Sequence, residues 1–316
     1  MSVFGPVPSR RLGRSLGIDT IPAKFCSYSC VYCQVGRTCN VQSVRHRFCR
    51  PEILAADVYQ RVGELRASGQ AVDYLTFVAD GEPTLDLNLG REIEVLRPLG
   101  IKIAVITNCS LIWRPEVQSE LALADWVSLK VDTVDQDVWH VLNQPHHSLR
   151  FEAILAGILT FAGNFKGDLV TETMLVRGSN DSDTDFEKLA GFLAEVKPST
   201  AFVAVPIRPP AEAWVRPPEP ATLNRAMQVI GTKVNRVEYL TGYEGNAFAS
   251  TGDVVADIMS ITSVHPMRED AVGDLLSKTK SDWTVVQRLI EEGRLVETED
   301  EGRKFYLRMR PCAIES

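Results

Sequence analysis

Short apolar runs separated by helix-length amphipathic stretches recur through the first 240 positions, and no other feature limits the possible folds as strongly. The runs are VDYLTFVAD (72–80), IKIAVITN (101–108), WVSLKVDT (126–133), DLVTETMLV (168–176) and TAFVAVPI (200–207). They are rich in Val, Ile, Thr and aromatic residues, as strands buried on both faces are. Helical patterns fall between them at 51–68, 87–98, 114–123, 150–162 and 184–196, the first framed by Pro51 and Gly69. Strand-helix alternation implies parallel strands joined by right-handed crossovers. With RSLGIDTI (14–21) as a first strand there are about six units. That number suits an α/β partial (β/α)6-type TIM barrel better than an open six-stranded sheet, although periodicity alone does not separate the two.

The proline-dense PIRPPAEAWVRPPEP (206–220) can continue neither helix nor strand and is expected to cover one face. A helix at 221–232 and a strand NRVEYL (235–240) complete the unit, and TGYEGNAFASTGD (241–253) reads as a linker. From 253 the pattern becomes three short helices and two strands around an acidic Glu-Gly turn. That succession resembles a winged helix-turn-helix domain. The expected organisation is a barrel over 1–240, a linker over 241–252 and a winged-helix domain over 253–316.

Seven cysteines, four of them in KFCSYSCVYCQVGRTC (24–39), need an account. An odd cysteine count in 316 residues, without a secretory pattern at the start, argues against a disulfide framework and for thiols in a reducing compartment. No apolar run approaches the roughly 20 residues that span a bilayer, so a cytoplasmic protein without a membrane partner is expected. Net charge is −7, but residues 1–50 carry eight Lys and Arg against Asp19 alone. That patch suits an anionic substrate or cofactor group, or balances a cluster and its thiolates. Within the loop, Cys26, Cys30 and Cys33 stand at i, i+4 and i+7. Structural zinc normally takes four ligands as two short pairs, whereas three cysteines leave one coordination position open.

The segment CSYSCVYC resembles the CxxxCxxC cluster loop of radical S-adenosylmethionine (SAM) enzymes, and the likeness extends over roughly residues 5–240. The resemblance implies a [4Fe–4S] cluster held by Cys26, Cys30 and Cys33, with SAM on the fourth iron. It further implies reductive cleavage of SAM to a 5′-deoxyadenosyl radical that abstracts hydrogen from a substrate, with a reductant such as flavodoxin or ferredoxin as partner. DGEPTL (80–85) resembles the family's GGEP-type motif with Asp80 in the first glycine position. Gly81, Glu82 and Pro83 would then contact SAM, Glu82 through its ammonium. Thr107, Asn108, Ser128, Lys130 and Asp132 at the next strand ends, and Tyr32 within the loop, would complete the cosubstrate site, with Val205 and Ile207 as wall residues.

Alternation places Ser128, Lys130 and Asp132 on one side of their strand. A lysine there needs a partner, Asp132 or Glu172, or a functional contact. Cys39, Cys49 and Cys109 read first as free thiols packed as small hydrophobes, with a second cluster or a thiol for the substrate reaction as the alternative, and Cys312 looks incidental. Within the superfamily the amino-terminal sequence resembles Fe–S oxidoreductases distantly related to wyosine-type tRNA-modifying enzymes. Three readings of function stay open. They are modification of a peptide, protein or RNA presented by the winged-helix domain, action on a small anionic metabolite, and a metal- or redox-sensing DNA-binding regulator. Acids in SDWTVVQRLIEEG (281–293) and ETEDEG disfavour the last.

Overall fold

The structure, a computed structural model, describes residues 2–240, 252–262, 266–300 and 302–309. A hairpin of β1 (Ser2–Ser9) and β2 (Gly13–Asp19) comes first. It is followed by α1 (Pro51–Ala67), β3 (Tyr74–Phe77), α2 (Leu89–Leu96), β4 (Lys102–Thr107), α3 (Pro115–Leu121) and β5 (Trp126–Lys130). Next are α4 (Gln136–Asn143), α5 (Phe151–Asn164), β6 (Asp168–Met174), α6 (Asp183–Val196), β7 (Thr200–Ala204), α7 (Pro220–Gly231) and β8 (Val237–Leu240). The eight strands form one sheet in chain order, with β1 antiparallel to β2 and each later neighbour parallel. This is an α/β fold around a mostly parallel sheet, consistent with a partial barrel.

Two elements differ from expectation. β1 contains Pro6 and Pro8 and does not read as a strand, yet proline is tolerated on an edge strand, whose outer amides have no ladder partner. Its register also slips between Phe4 and Val7. α4 escapes a reading by periodicity because it is short. It forms because the Asp135 carboxylate accepts from the amides of Asp137 and Val138, and Trp139 and Leu142 face inward.

Side chains alternate across the sheet. Leu75, Phe77, Ile103, Val105, Val127 and Leu129 point out under the helices, where they meet Leu54, Ile93, Ile158 and Phe186. Burying each such side chain contributes about 1.5–3 kcal/mol. The opposite face is the barrel interior, and Leu12 from the hairpin tip packs there with Ala104, Trp126, Val170 and Phe202. The hairpin can lean over this face because Phe4 rests on Gly17, where a Cβ would lie 2.1 Å from the ring.

The carboxyl-terminal part comprises α8 (Val254–Ile261), β9 (Met267–Arg268), α9 (Glu269–Lys278), α10 (Thr284–Glu291), β10 (Leu295–Asp300) and β11 (Arg303–Arg308). Its antiparallel sheet has the order β9-β11-β10. Its core includes Ile258, Met267, Leu275, Leu289, Leu295 and Tyr306, and Val7 of β1 packs against it. The linker expected over 241–252 lies, Gly252 apart, outside the described residues, as does Cys312. Among the described residues no helix is long and apolar enough to cross a membrane.

Candidate active site

The cysteine loop leaves the carboxyl end of β2 and is laced to the turn that leaves β3. The Lys24 amide donates to the Asp80 carbonyl at 2.9 Å, and the Glu82 amide donates to the Phe25 carbonyl at 3.2 Å. Gly81 makes this approach possible, since a Cβ there would lie 2.0 Å from the Phe25 oxygen. Lys24 Nζ stands 3.8 Å from Asp80 Oδ1 and donates to the Gly36 carbonyl at 2.9 Å, closing the far end of the loop. Behind it, buried Arg45 donates to the carbonyls of Thr84 at 2.8 Å and Asp86 at 2.6 Å and pairs with Glu120.

Two side-chain amides are aimed at the thiols. Asn108 Nδ2 lies 3.5 Å from Cys26 Sγ, and Asn143 Nδ2 lies 3.5 Å from Cys30 Sγ. Burial pushes the Cys30 thiol up to about 12, with Asp132 adding to it, and burial with neighbouring Cys30 raises Cys26 further. Iron coordination deprotonates such a thiol outright. Among the described residues no three His, Cys, Asp or Glu side chains converge as ligands of one metal ion. The three thiols share one loop, the donor set that a cubane needs at three of its corners.

Glu82 staples two strand ends. Its Oε1 accepts from the Thr84 amide at 3.0 Å, Thr84 Oγ1 at 2.6 Å and Thr107 Oγ1 at 2.6 Å, and Oε2 accepts from the Asn108 amide at 2.7 Å. Burial raises its pKa, and these hydrogen bonds oppose that rise. Asp132 holds the other side. Its Oδ2 accepts from Tyr32 Oη and, at 2.8 Å, from Asn143 Nδ2, while Oδ1 accepts from the Met174 amide at 2.8 Å. Lys130 Nζ lies 5.0 Å from the Tyr32 ring centre and donates to Glu172 Oε1 at 2.8 Å. Arg11, from the hairpin tip, pairs with Glu172 Oε2. Burial alone would raise Glu172, but Lys130 and Arg11 outweigh it and hold the carboxyl down at about 2.

A cavity of about 360 Å³ opens beside the Tyr32–Lys130–Glu172 side of this network. Tyr32, Cys33 and Gln34 line it, as do Val205, Ile207, Lys130, Glu172 and Arg11. The residues singled out in the sequence thus meet at the carboxyl ends of the strands. Asp80–Pro83, Thr107 and Asn108 stand against the cysteine loop, Tyr32, Lys130 and Asp132 lie beside it, and Ile207 is on the cavity wall. Ser128 lies two residues before Lys130, buried and facing the same way, but among the described residues no hydrogen bond joins it to this network. Arg11 and Asn143 escape sequence reading. Arg11 sits in a basic run that reads as a general patch, and Asn143 ends the unexpected α4. Cys49 and Cys109 are buried free thiols.

Comparison with known proteins gives this geometry its context. UPF0026 protein MJ1312 of Methanocaldococcus jannaschii is 45% identical over 96% of this chain and 95% of its own. A radical SAM methyltransferase from Sphaerobacter thermophilus has a similar structure, with a TM-score of 0.56 at 19% identity over 72% of this chain and 67% of that one. Streptococcus suis SuiB, solved with its precursor peptide SuiA, gives 0.54 at 16% identity over 73% and 50% of the two chains. The profile of the radical SAM superfamily, whose cofactors are a [4Fe–4S] cluster and SAM, matches residues 20–192. That match covers more than half the sequence, from the end of β2 into α6, and the chain belongs to the radical SAM superfamily.

Proposed function

We propose that Cys26, Cys30 and Cys33 hold a [4Fe–4S] cluster and that the protein uses it to cleave SAM reductively. When bound, the cluster supplies the electron, from a flavodoxin- or ferredoxin-like donor, that releases a 5′-deoxyadenosyl radical to abstract hydrogen from the substrate. The observation that carries this reading is the lacing of the cysteine loop to the DGEP turn, with two amides directed at Cys26 and Cys30. Those amides stabilise sulfur that carries negative charge and orient the ligands.

The remaining roles follow from what each side chain has left to offer. Among the described residues Glu82 Oε2 accepts only the Asn108 amide, so it can take the SAM ammonium beside Gly81 and Pro83. Asp80, paired with Lys24, holds the loop at that place. Thr107 and Asn108 present the β4 end, and Ser128, Lys130 and Asp132 face the ribose and carboxylate. Tyr32, braced by Asp132, stands with Ile207 at the adenosine end of the cavity.

Residues 253–309 have the element order of a winged-helix domain. In this reading they brace the hairpin through Val7 and so shape the cavity on which substrate choice depends. Acids on α10 and β10 weigh against sequence-specific DNA binding. Anaerobic reconstitution with an iron and sulfide count, followed by an assay for 5′-deoxyadenosine, tests the central claim. Four irons per chain and SAM cleavage are expected, both abolished by Cys30→Ala. Stoichiometric zinc with no iron uptake overturns it.

A further inference from the structure

The interior cavity has a charged floor that cluster binding does not require. We propose that Arg11, anchored on Glu172 in this floor, binds the carboxylate or phosphate head of a small substrate whose apolar body lies against Phe4, Val78, Ile106 and Met174. The proposal rests on the radical SAM reading of the site and names the class of substrate it takes.

Arg11 reaches this place by an unusual route. It sits at the turn between β1 and β2, outside the parallel sheet, and is carried into the barrel because its neighbour Leu12 plugs the bottom against Ala104, Trp126 and Phe202. Its ion pair with Glu172 spans 161 positions of sequence. A guanidinium offers five donors in a fork that matches a carboxylate or phosphate edge. Here Nη1 serves Glu172, and Nε is buried without an acceptor. A buried donor left in that state is unfavourable, and a ligand oxygen within reach of the fork would relieve it after a small side-chain shift.

Charge points the same way. The charged residues lining the cavity are Arg10, Arg11, Lys130 and Arg208 against Glu172 alone. Lys130 and Arg11 share that one carboxylate, with side chains only 18% and 15% exposed. Asp132 stands nearby, but its oxygens already receive Tyr32, Asn143 and the Met174 amide. This floor therefore sets two cations against one carboxylate in surroundings poor in water, where a second anion is favoured. Its volume of about 360 Å³ suits a metabolite. Above the floor the walls mix apolar side chains with polar ones, among them Ser15 and Thr76, whose hydroxyls bond each other at 2.6 Å, and Gln34, which accepts from Arg208. A molecule with its head on Arg11 would extend its carbon chain toward Tyr32 and Cys33, the end where hydrogen abstraction would take place.

The test is titration calorimetry on the anaerobically reconstituted protein with inorganic phosphate and, separately, butyrate. We expect one of them to bind, and Arg11→Met to weaken it at least tenfold. Arg11→Lys keeps the ion pair and the charge but loses the fork, so it serves if Arg11→Met does not fold, and it should weaken the same probe several-fold. Preference for phosphate assigns a phosphate ester, and preference for butyrate assigns an organic acid. SAM is titrated into the same variants. An equal loss of SAM affinity makes Arg11 a cosubstrate contact and overturns the proposal, as does failure of both probes to bind or binding that Arg11 variants leave unchanged. That last pair of results is what a peptide or RNA substrate acting from outside the cavity would give. Iron content is recorded for each protein, so a failed cluster reading shows as absent iron while probe binding still reports on the floor.

Discussion

Lys130 and Glu172 face each other directly across β5 and β6, and Lys130 Nζ meets Glu172 Oε1 inside the barrel at 2.8 Å. Parallel register sets the pair, because both residues fall on inward positions of adjacent strands. Glu172→Gln would leave two cations without their shared partner. It should destabilise the protein by about 3 kcal/mol at pH 7, seen as a lower urea midpoint. The effect has a defined pH window. Glu172 is held at about 2 when folded and titrates near its ordinary value of 4.5 when unfolded. Its contribution is therefore complete above about pH 5 and is lost as pH falls toward 2. The stability gap between wild type and Glu172→Gln should shrink between pH 5 and pH 3, and a constant gap would show that the two cations do not depress this carboxyl.

Glu92 gives the opposite sign. It is fully buried on α2, among the described residues neither carboxylate oxygen has a hydrogen-bond partner, and burial, with Asp86 and Glu120 nearby, raises it to about 9. A folded-state value above the unfolded one means that stability is greatest below about pH 4.5 and declines as pH rises toward 9. Glu92→Met, close in shape and without charge, should raise stability at pH 8 by roughly 2–4 kcal/mol and make little difference at pH 4.5. Urea titrations at the two pH values decide it.

How far the sequence discloses this architecture depends on whether a feature is local. The parallel strands and their helices are legible because apolar periodicity is written within each segment, and the cysteine spacing and DGEP turn are legible for the same reason. β1 is hidden by Pro6 and Pro8, which only its edge position tolerates. The Arg11–Glu172 contact is hidden by its 161-residue separation and by lying on a hairpin that must first fold over the barrel. Asn143 is hidden by the shortness of α4, whose stability comes from an Asp135 cap and a buried Trp139 more than from pattern. The two added residues, Arg11 and Asn143, both belong to the interior, where contacts come from tertiary packing.

Glu82→Gln separates the two tasks of this carboxyl. A glutamine can present one oxygen to Thr84 and Thr107, but its amide then faces the Asn108 N–H, donor against donor. SAM affinity should fall roughly 10- to 100-fold with loss of the charge-assisted contact. Iron uptake at Cys26, Cys30 and Cys33 should persist. Calorimetric titration of SAM into the reconstituted variant checks it, and unchanged affinity would confine Glu82 to stapling β3 and β4.

The carboxyl-terminal part touches the barrel at β1, the strand that leads into the turn bearing Arg11. Val7 of β1 packs into the core built by Ile258, Leu275 and Tyr306, and Val7 and Phe4 also line the cavity. A chain ending near Gly242 should therefore keep the cysteine loop and its iron, since the residues lacing that loop, from Lys24 through Asn143 to Glu212, all precede the cut. The truncation uncovers Val7 and removes the support behind β1, so the hairpin loosens and Arg11 is held less firmly against Glu172. Hydrogen exchange should show faster amide exchange across Ser2–Asp19 than in the full chain, with Tyr74–Phe77 and Lys102–Thr107 little changed. Loss of protection spread evenly through the sheet would mean that the carboxyl-terminal part stabilises the whole barrel, with no special hold on the hairpin.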